Sequence, residues 1–124
     1  MWVQFNNNPL GKKVGDCSVR AVSKALDVSW NNAYTQLTLQ GYAMSDMPSS
    51  NAVIGALLKQ NGFVLGVPPN VCPDCYTLGE FANENPKGTF VVFLDKHVCS
   101  VIDGTVYDAW DSTNEIVLYY WRKE

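Results

Sequence analysis

Apolar positions in the first half of the chain recur at helical spacing. Val19, Val22, Ala25 and Leu26 form one stripe over Cys17 to Leu26, with Asp16 standing where an N-cap belongs. Trp30, Ala33, Tyr34 and Leu37 fall at i, i+3, i+4 and i+7 and predict a second helix, opened by Ser29 and stopped by Gly41. After the loop "AMSDMPSS", the apolar set Val53, Ile54, Leu57 and Leu58 predicts a third helix from Asn51 to Gln60, ended by Asn61 and Gly62. The period then changes. "FVLGV" from Phe63 and "TFVVFL" from Thr89 are short β-branched and aromatic runs bounded by Gly and Pro, the mark of strands. Between them, Thr77 and Glu80 have the spacing of a capping box for a short helix through Asn85, where Pro86 stops it. "HVCSVIDGTVYDAWD" reads as a hairpin turning at Asp103 and Gly104, and "EIVLYYW" from Glu115 as a further strand. Helices first and an antiparallel sheet second predict an α+β domain. With no repeat, low-complexity tract or linker to divide it, one domain spans residues 1–124.

Composition narrows the classes of function. At 124 residues and 47% hydrophobic, the chain can bury a core without covalent staples. A formal charge of −3 and a pI near 5.0 offer none of the clustered Lys and Arg that a polyphosphate partner needs, so nucleic acid is not expected. "MWVQFNNNPLG" lacks the charged and apolar regions of a signal peptide, and "FVVFL" is too short to span a bilayer. The expectation is a cytoplasmic protein with no membrane partner. In a reducing compartment the four cysteines are expected as free thiols, metal ligands or a catalytic group rather than as two disulfides.

The hairpin places chemistry on one face. With Asp103 and Gly104 at the turn, Val101 faces Val106, Cys99 faces Asp108 and His97 faces Trp110. His97 and Asp108 are then diagonal neighbours on one face, close enough for a carboxylate to hold an imidazole, while Asp111 points the other way. His97 is the only histidine. At the other end of the chain, "GDCSVRAVSKAL" puts Cys17 at a helix start, either as a small apolar residue of the core or as a nucleophile. The helix N-terminus favours a thiolate there by about 0.3–1 kcal/mol, Asp16 opposes it, and an imidazolium partner would be needed to complete the effect. A nucleophile, a base and a group orienting that base must converge from different elements, and Cys17, His97 and Asp108 occur in that order.

Those two stretches, "GDCSVRAVSKAL" and "KHVCSVIDGTVYDAWDS", resemble the papain-like cysteine peptidase superfamily, and more narrowly its small bacterial and phage-associated members. The resemblance implies N-terminal helices packed on a C-terminal sheet, Cys17 as nucleophile, His97 as general base and acid, Asp108 as the orienting residue, and the Cys17 N–H as an oxyanion donor. It implies a thiol peptidase or isopeptidase acting on a protein or peptide, with no cofactor and no metal. The glutamine found six positions before the nucleophile in papain-type enzymes is Gly11 here. The second oxyanion donor must come from elsewhere among Gln4, Asn6, Asn7 and Asn8, and Asn8 is chosen as nearest to Cys17. An inactive binding module on the same fold, or a non-proteolytic amidase or acyl transferase using the same triad, are the alternatives.

Other features carry a structural reading beside a functional one. "CPDC", Cys72 to Cys75, has half the spacing of a zinc site and lacks the second pair, so it is read as a loop. Cys99 is read as a packing residue. "NNNP" and "GKK" form a polar segment able to lie across the Cys17 site, and Trp110 as an indole able to shield the histidine–carboxylate pair from water. Tyr119, Tyr120 and Trp121 alternate sides of a strand.

Overall fold

Helices with one apolar stripe and strands with apolar residues on both sides require a sheet with cover on each face. The computed structural model, which describes residues 1–69 and 75–124, has that arrangement. Four helices, α1 (Cys17–Leu26), α2 (Trp30–Met44), α3 (Asn51–Gln60) and α4 (Leu78–Glu84), pack on a six-stranded sheet. Its strands are β1 (Trp2–Gln4), β2 (Phe63–Gly66), β3 (Thr89–Leu94), β4 (His97–Ile102), β5 (Thr105–Asp108) and β6 (Tyr119–Lys123), in the order β1-β5-β4-β3-β6-β2.

Two apolar clusters flank the sheet. On one face Val19, Val22, Leu37, Ile54 and Leu58 of α1–α3 meet Val91, Phe93 and Val98. On the other, Leu78 and Phe81 of α4 meet Phe90, Val92, Cys99, Val101 and Val106. The alternation along β3 and β4 is thus buried on both sides, which is why "TFVVFL" reads as an unbroken apolar run. Tyr119 and Trp121 pack toward the first cluster and Tyr120 toward the second.

The caps explain where the helices start. Ser29 accepts from the Asn32 N–H, Ser50 from the Ala52 N–H, and Thr77 from the Glu80 N–H. Asp16 stands at the N-cap of α1 but makes no side-chain cap bond, because its carboxylate is buried and turned to other partners. Gly41 does not stop α2. The helix runs on to Met44 and ends with Ser45 in the left-handed conformation, its N–H bonding back to the final turn. Gly41 is required for another reason: a Cβ there would lie 2.8 Å from the Asp46 carbonyl oxygen and 3.2 Å from the Pro48 nitrogen, where the following loop crosses the helix.

Two corrections concern the sheet, which is mixed and not antiparallel. β1, in a stretch to which the apolar pattern assigned no element, runs parallel to β5, pairing Trp2 with Val106 and Gln4 with Asp108. Its signal was the β-branched and aromatic content of "WVQF", a run too short to separate from a loop. β6 begins at Tyr119, four residues after Glu115, because residues 115–117 pair with the approach to α4: the Leu78 N–H donates to the Glu115 carbonyl and the Val117 N–H to that of Tyr76. Cys72 of the "CPDC" stretch lies outside the described residues. Among the described residues no group of His, Cys, Asp and Glu is arranged to hold a metal, and no helix is long and apolar enough to cross a membrane.

Candidate active site

Cys17 is the first residue of α1, and His97 the first of β4. α1 packs along β4, so the two starting residues meet at one end of the sheet and line one cleft, near enough for thiol and ring to shift each other's pKa. His97 Nε2 lies 2.6 Å from Asp108 Oδ2, which leaves Nδ1 as the ring nitrogen open to sulfur. The register accounts for this approach. Ile102 pairs with Thr105, Val101 with Val106 and Ser100 with Tyr107; continuing that ladder sets Asp108 beside Cys99 and diagonal to His97.

Asp108 is held from every side. It is 2% exposed and accepts from the Ser112 hydroxyl at 2.7 Å and from the Ala109 N–H at 2.8 Å, besides His97. Arg20 Nη2 stands 3.8 Å from its second oxygen. Such a carboxylate cannot rotate without losing several bonds, which suits a group that must fix one tautomer of an imidazole. Asp111 is elsewhere: exposed, it accepts from the N–H and hydroxyl of Thr113, and those bonds hold its carboxyl below the usual range.

The electrostatics couple thiol and ring. Burial works to lower the pKa of His97, but its hydrogen bonds to Asp108 and then Cys17 outweigh it and lift the ring to about 9. Burial works to raise the pKa of Cys17; the hydrogen bond to His97, a backbone bond to Val98 and the charges of His97 and Arg20 bring it below the ordinary thiol value. Both shifts favour a thiolate–imidazolium pair at neutral pH.

Sequence reasoning missed Arg20. It is 8% exposed, pairs with the Asp16 carboxylate one helical turn earlier, and approaches Asp108. Asp16 also accepts from the Trp30 indole N–H at 2.9 Å. One buried guanidinium therefore ties the start of α1 to the carboxylate behind His97 and neutralises the Asp16 charge that would oppose a thiolate. The available signal was the i, i+4 spacing of Asp16 and Arg20.

Asn8 does not reach the cleft over Cys17. Its amide nitrogen donates to Asp16 at 3.3 Å, its oxygen accepts from the Leu10 and Lys12 N–H groups, and it lines a separate groove beside Trp30 and Tyr34. Nearness in sequence misled because residues 8–12 form a turn that points the side chain at the flank of α1. Gln4 and Asn6 line the cleft instead, and the Asn6 amide donates to the Lys12 carbonyl. Trp110 also lines it, its ring 5.0 Å from that of His97 and 45% exposed, so the indole lies over the imidazole rather than in a core. Cys99 is buried in the second cluster.

No family model, curated protein or solved structure matches this chain.

Proposed function

We propose that the protein is a papain-like thiol hydrolase that cleaves a peptide or isopeptide amide through an acyl-thioester on Cys17. The observation that carries this reading is the alignment of a thiol at a helix start with an imidazole whose far nitrogen is 2.6 Å from a buried, fully bonded carboxylate. In the proposed reaction the Cys17 thiolate attacks the carbonyl carbon and the carbonyl oxygen takes up the negative charge. The C–N bond then breaks as His97 gives its proton to the departing amine. Water, deprotonated by His97, attacks the thioester and releases the acid. Asp108 holds the ring in one orientation throughout.

The oxyanion needs donors. The first N–H groups of α1 have no intrahelical partner and Asp16 does not cap them, so the Cys17 N–H is free for this role. The second donor in this proposal is the Gln4 amide, which lines the cleft from the end of β1, in place of Asn8. Amidase and acyl-transferase chemistry would use the same residues and differ only in the group that accepts the acyl chain.

The test is acylation by an activated ester followed by intact mass. One acyl group on Cys17, lost in Cys17→Ala and released by water, supports the hydrolase; no adduct, or an adduct on another residue, overturns it. Transfer to an added amine in place of water would identify an acyl transferase. Gln4→Ala is expected to slow acylation by about a hundredfold with the alkylation rate of Cys17 little changed, the scale of losing one oxyanion donor.

A further inference from the structure

The groove over Cys17 has two lobes. The larger, about 610 Å³, runs between Gln4, Asn6, Lys13, Lys96 and Trp110; the smaller, about 260 Å³, lies between Ser18, Ser49, Asn51 and Leu94. Among the described residues no Asp or Glu lines either lobe, although the chain as a whole carries a charge of −3. The buried charges behind the groove are matched: Asp16 faces Arg20, and Asp108 faces the His97 ring. What remains is the Cys17 thiolate against two exposed lysines on the rim, Lys13 and Lys96, so the open surface of the site is positive.

The placement of Lys96 is costly. It occupies the two-residue turn between β3 and β4 with φ of 54°, the left-handed region that glycine or asparagine enters more readily. A lysine kept there stands next to His97 and borders both lobes, whereas its turn neighbour Asp95 lines neither.

We propose that the groove takes a substrate bearing a carboxylate close to its reacting carbonyl, and that Lys96 and Lys13 hold that carboxylate in the larger lobe. This rests on the thiol chemistry proposed for Cys17. The carboxylate is either an acidic side chain or a free peptide C-terminus, and both present the same anion to the two ammonium groups.

Haloacetyl reagents separate these cases, since the thiolate displaces halide and forms a C–S bond in one step. The measured quantity is the rate of Cys17 alkylation by iodoacetate divided by that of iodoacetamide, relative to the same ratio for a small free thiol. The ratio is expected to be raised at low salt, to fall as salt is added, and to drop about threefold for each lysine neutralised in Lys96→Asn and Lys13→Gln. Asparagine suits the left-handed turn, so the Lys96 variant keeps its backbone. A ratio that is unchanged in the double variant overturns the proposal, because the bias would then belong to the imidazolium alone. Chloroacetyl-glutamate with its α-carboxyl amidated, and chloroacetyl-alanine with its carboxylate free, identify the source. Each is compared with its fully amidated form, and the one whose advantage depends on Lys96 names the natural anion. No advantage for either overturns the substrate class. If Cys17 reacts with iodoacetamide no faster than an ordinary thiol, the hydrolase reading itself fails, and this is a different result from an unaltered ratio at a fast-reacting Cys17.

Discussion

Cys17 and Cys99 stand near the same imidazole and carboxylate, yet their thiols are tuned in opposite directions. Cys99, within β4 and 2% exposed, is pushed well above the ordinary thiol value by burial first and then by the Asp108 charge, against which a hydrogen bond with Ser112 is too little. Cys17, at the rim where α1 meets β4, is only partly buried, and its bonds to His97 and Val98 reverse the burial penalty. The difference is geometric. One thiol faces the imidazole that delivers positive charge; the other faces the carboxylate that the imidazole is paired with. A cysteine close to a histidine–carboxylate pair is thus activated only from the histidine side and only where solvent still reaches it.

The largest expected effect tests that contrast directly. Native protein treated with iodoacetamide at pH 6 should be labelled at Cys17 at least about a thousandfold faster than at Cys99, which must wait for opening of the core. Residue-resolved mass spectrometry reads both, and comparable rates would break the comparison.

Next is Arg20→Met. Removing the guanidinium leaves Asp16 and the back of Asp108 without their buried cation, and breaking such a group is expected to cost about 3–5 kcal/mol in urea unfolding. A loss below about 1 kcal/mol would mean that Arg20 is not the tie between α1 and Asp108.

His97→Ala should remove most of the activation of Cys17 while leaving Cys99 inert. The onset of Cys17 alkylation should move up toward the ordinary thiol value, with a drop of about a hundredfold at pH 6. Superimposable pH curves for the two proteins would show that thiol and ring are not paired.

The smallest effects separate the two aspartates. Asp108→Asn should slow acylation of Cys17 by about tenfold or more, since the ring loses its orientation and the imidazolium its partner. Asp111→Asn should change the rate by less than about twofold, the range of a surface substitution. Stability provides a second reading of the same pair. A ring lifted from 6.5 to about 9 contributes stability that is full below 6.5 and lost as pH rises through about 9. In Asp108→Asn that loss between pH 6.5 and 9 should shrink, and in Asp111→Asn it should persist. An Asp111 variant that behaved like Asp108→Asn would place the orienting carboxylate at the wrong residue.

Much of this molecule follows from short-range rules. α2 and α3 start at the serines that cap them, α1 starts at its predicted residue although Asp16 makes no cap bond, and α1 and α3 end at their predicted residues, because caps and apolar spacing are local properties. The neighbour relation of His97 and Asp108 follows from a two-residue turn and a period of two, with no knowledge of the rest of the chain. Features that depend on a distant segment were not legible in the same way. Gly41 looks like a stop until the loop at Asp46 to Pro48 is seen to cross it, and Glu115 to Val117 look like a strand until the approach to α4 takes their hydrogen bonds.

What the sequence determined alone was the α+β content, the position of Cys17 at a helix start, and the common face of His97 and Asp108, since each rests on the geometry of one helix or one hairpin. The tertiary structure alone decided that α1 lies along β4 so that Cys17 meets His97, that β1 closes the sheet in parallel beside β5, and that Arg20 is buried between two carboxylates. It also turned Asn8 away from the cleft and left Gln4 on it. The physical reason is common to all of these. Spacing within an element is set by backbone geometry, whereas the partner of a buried charge or a spare amide is set by whichever remote group satisfies it when the layers pack.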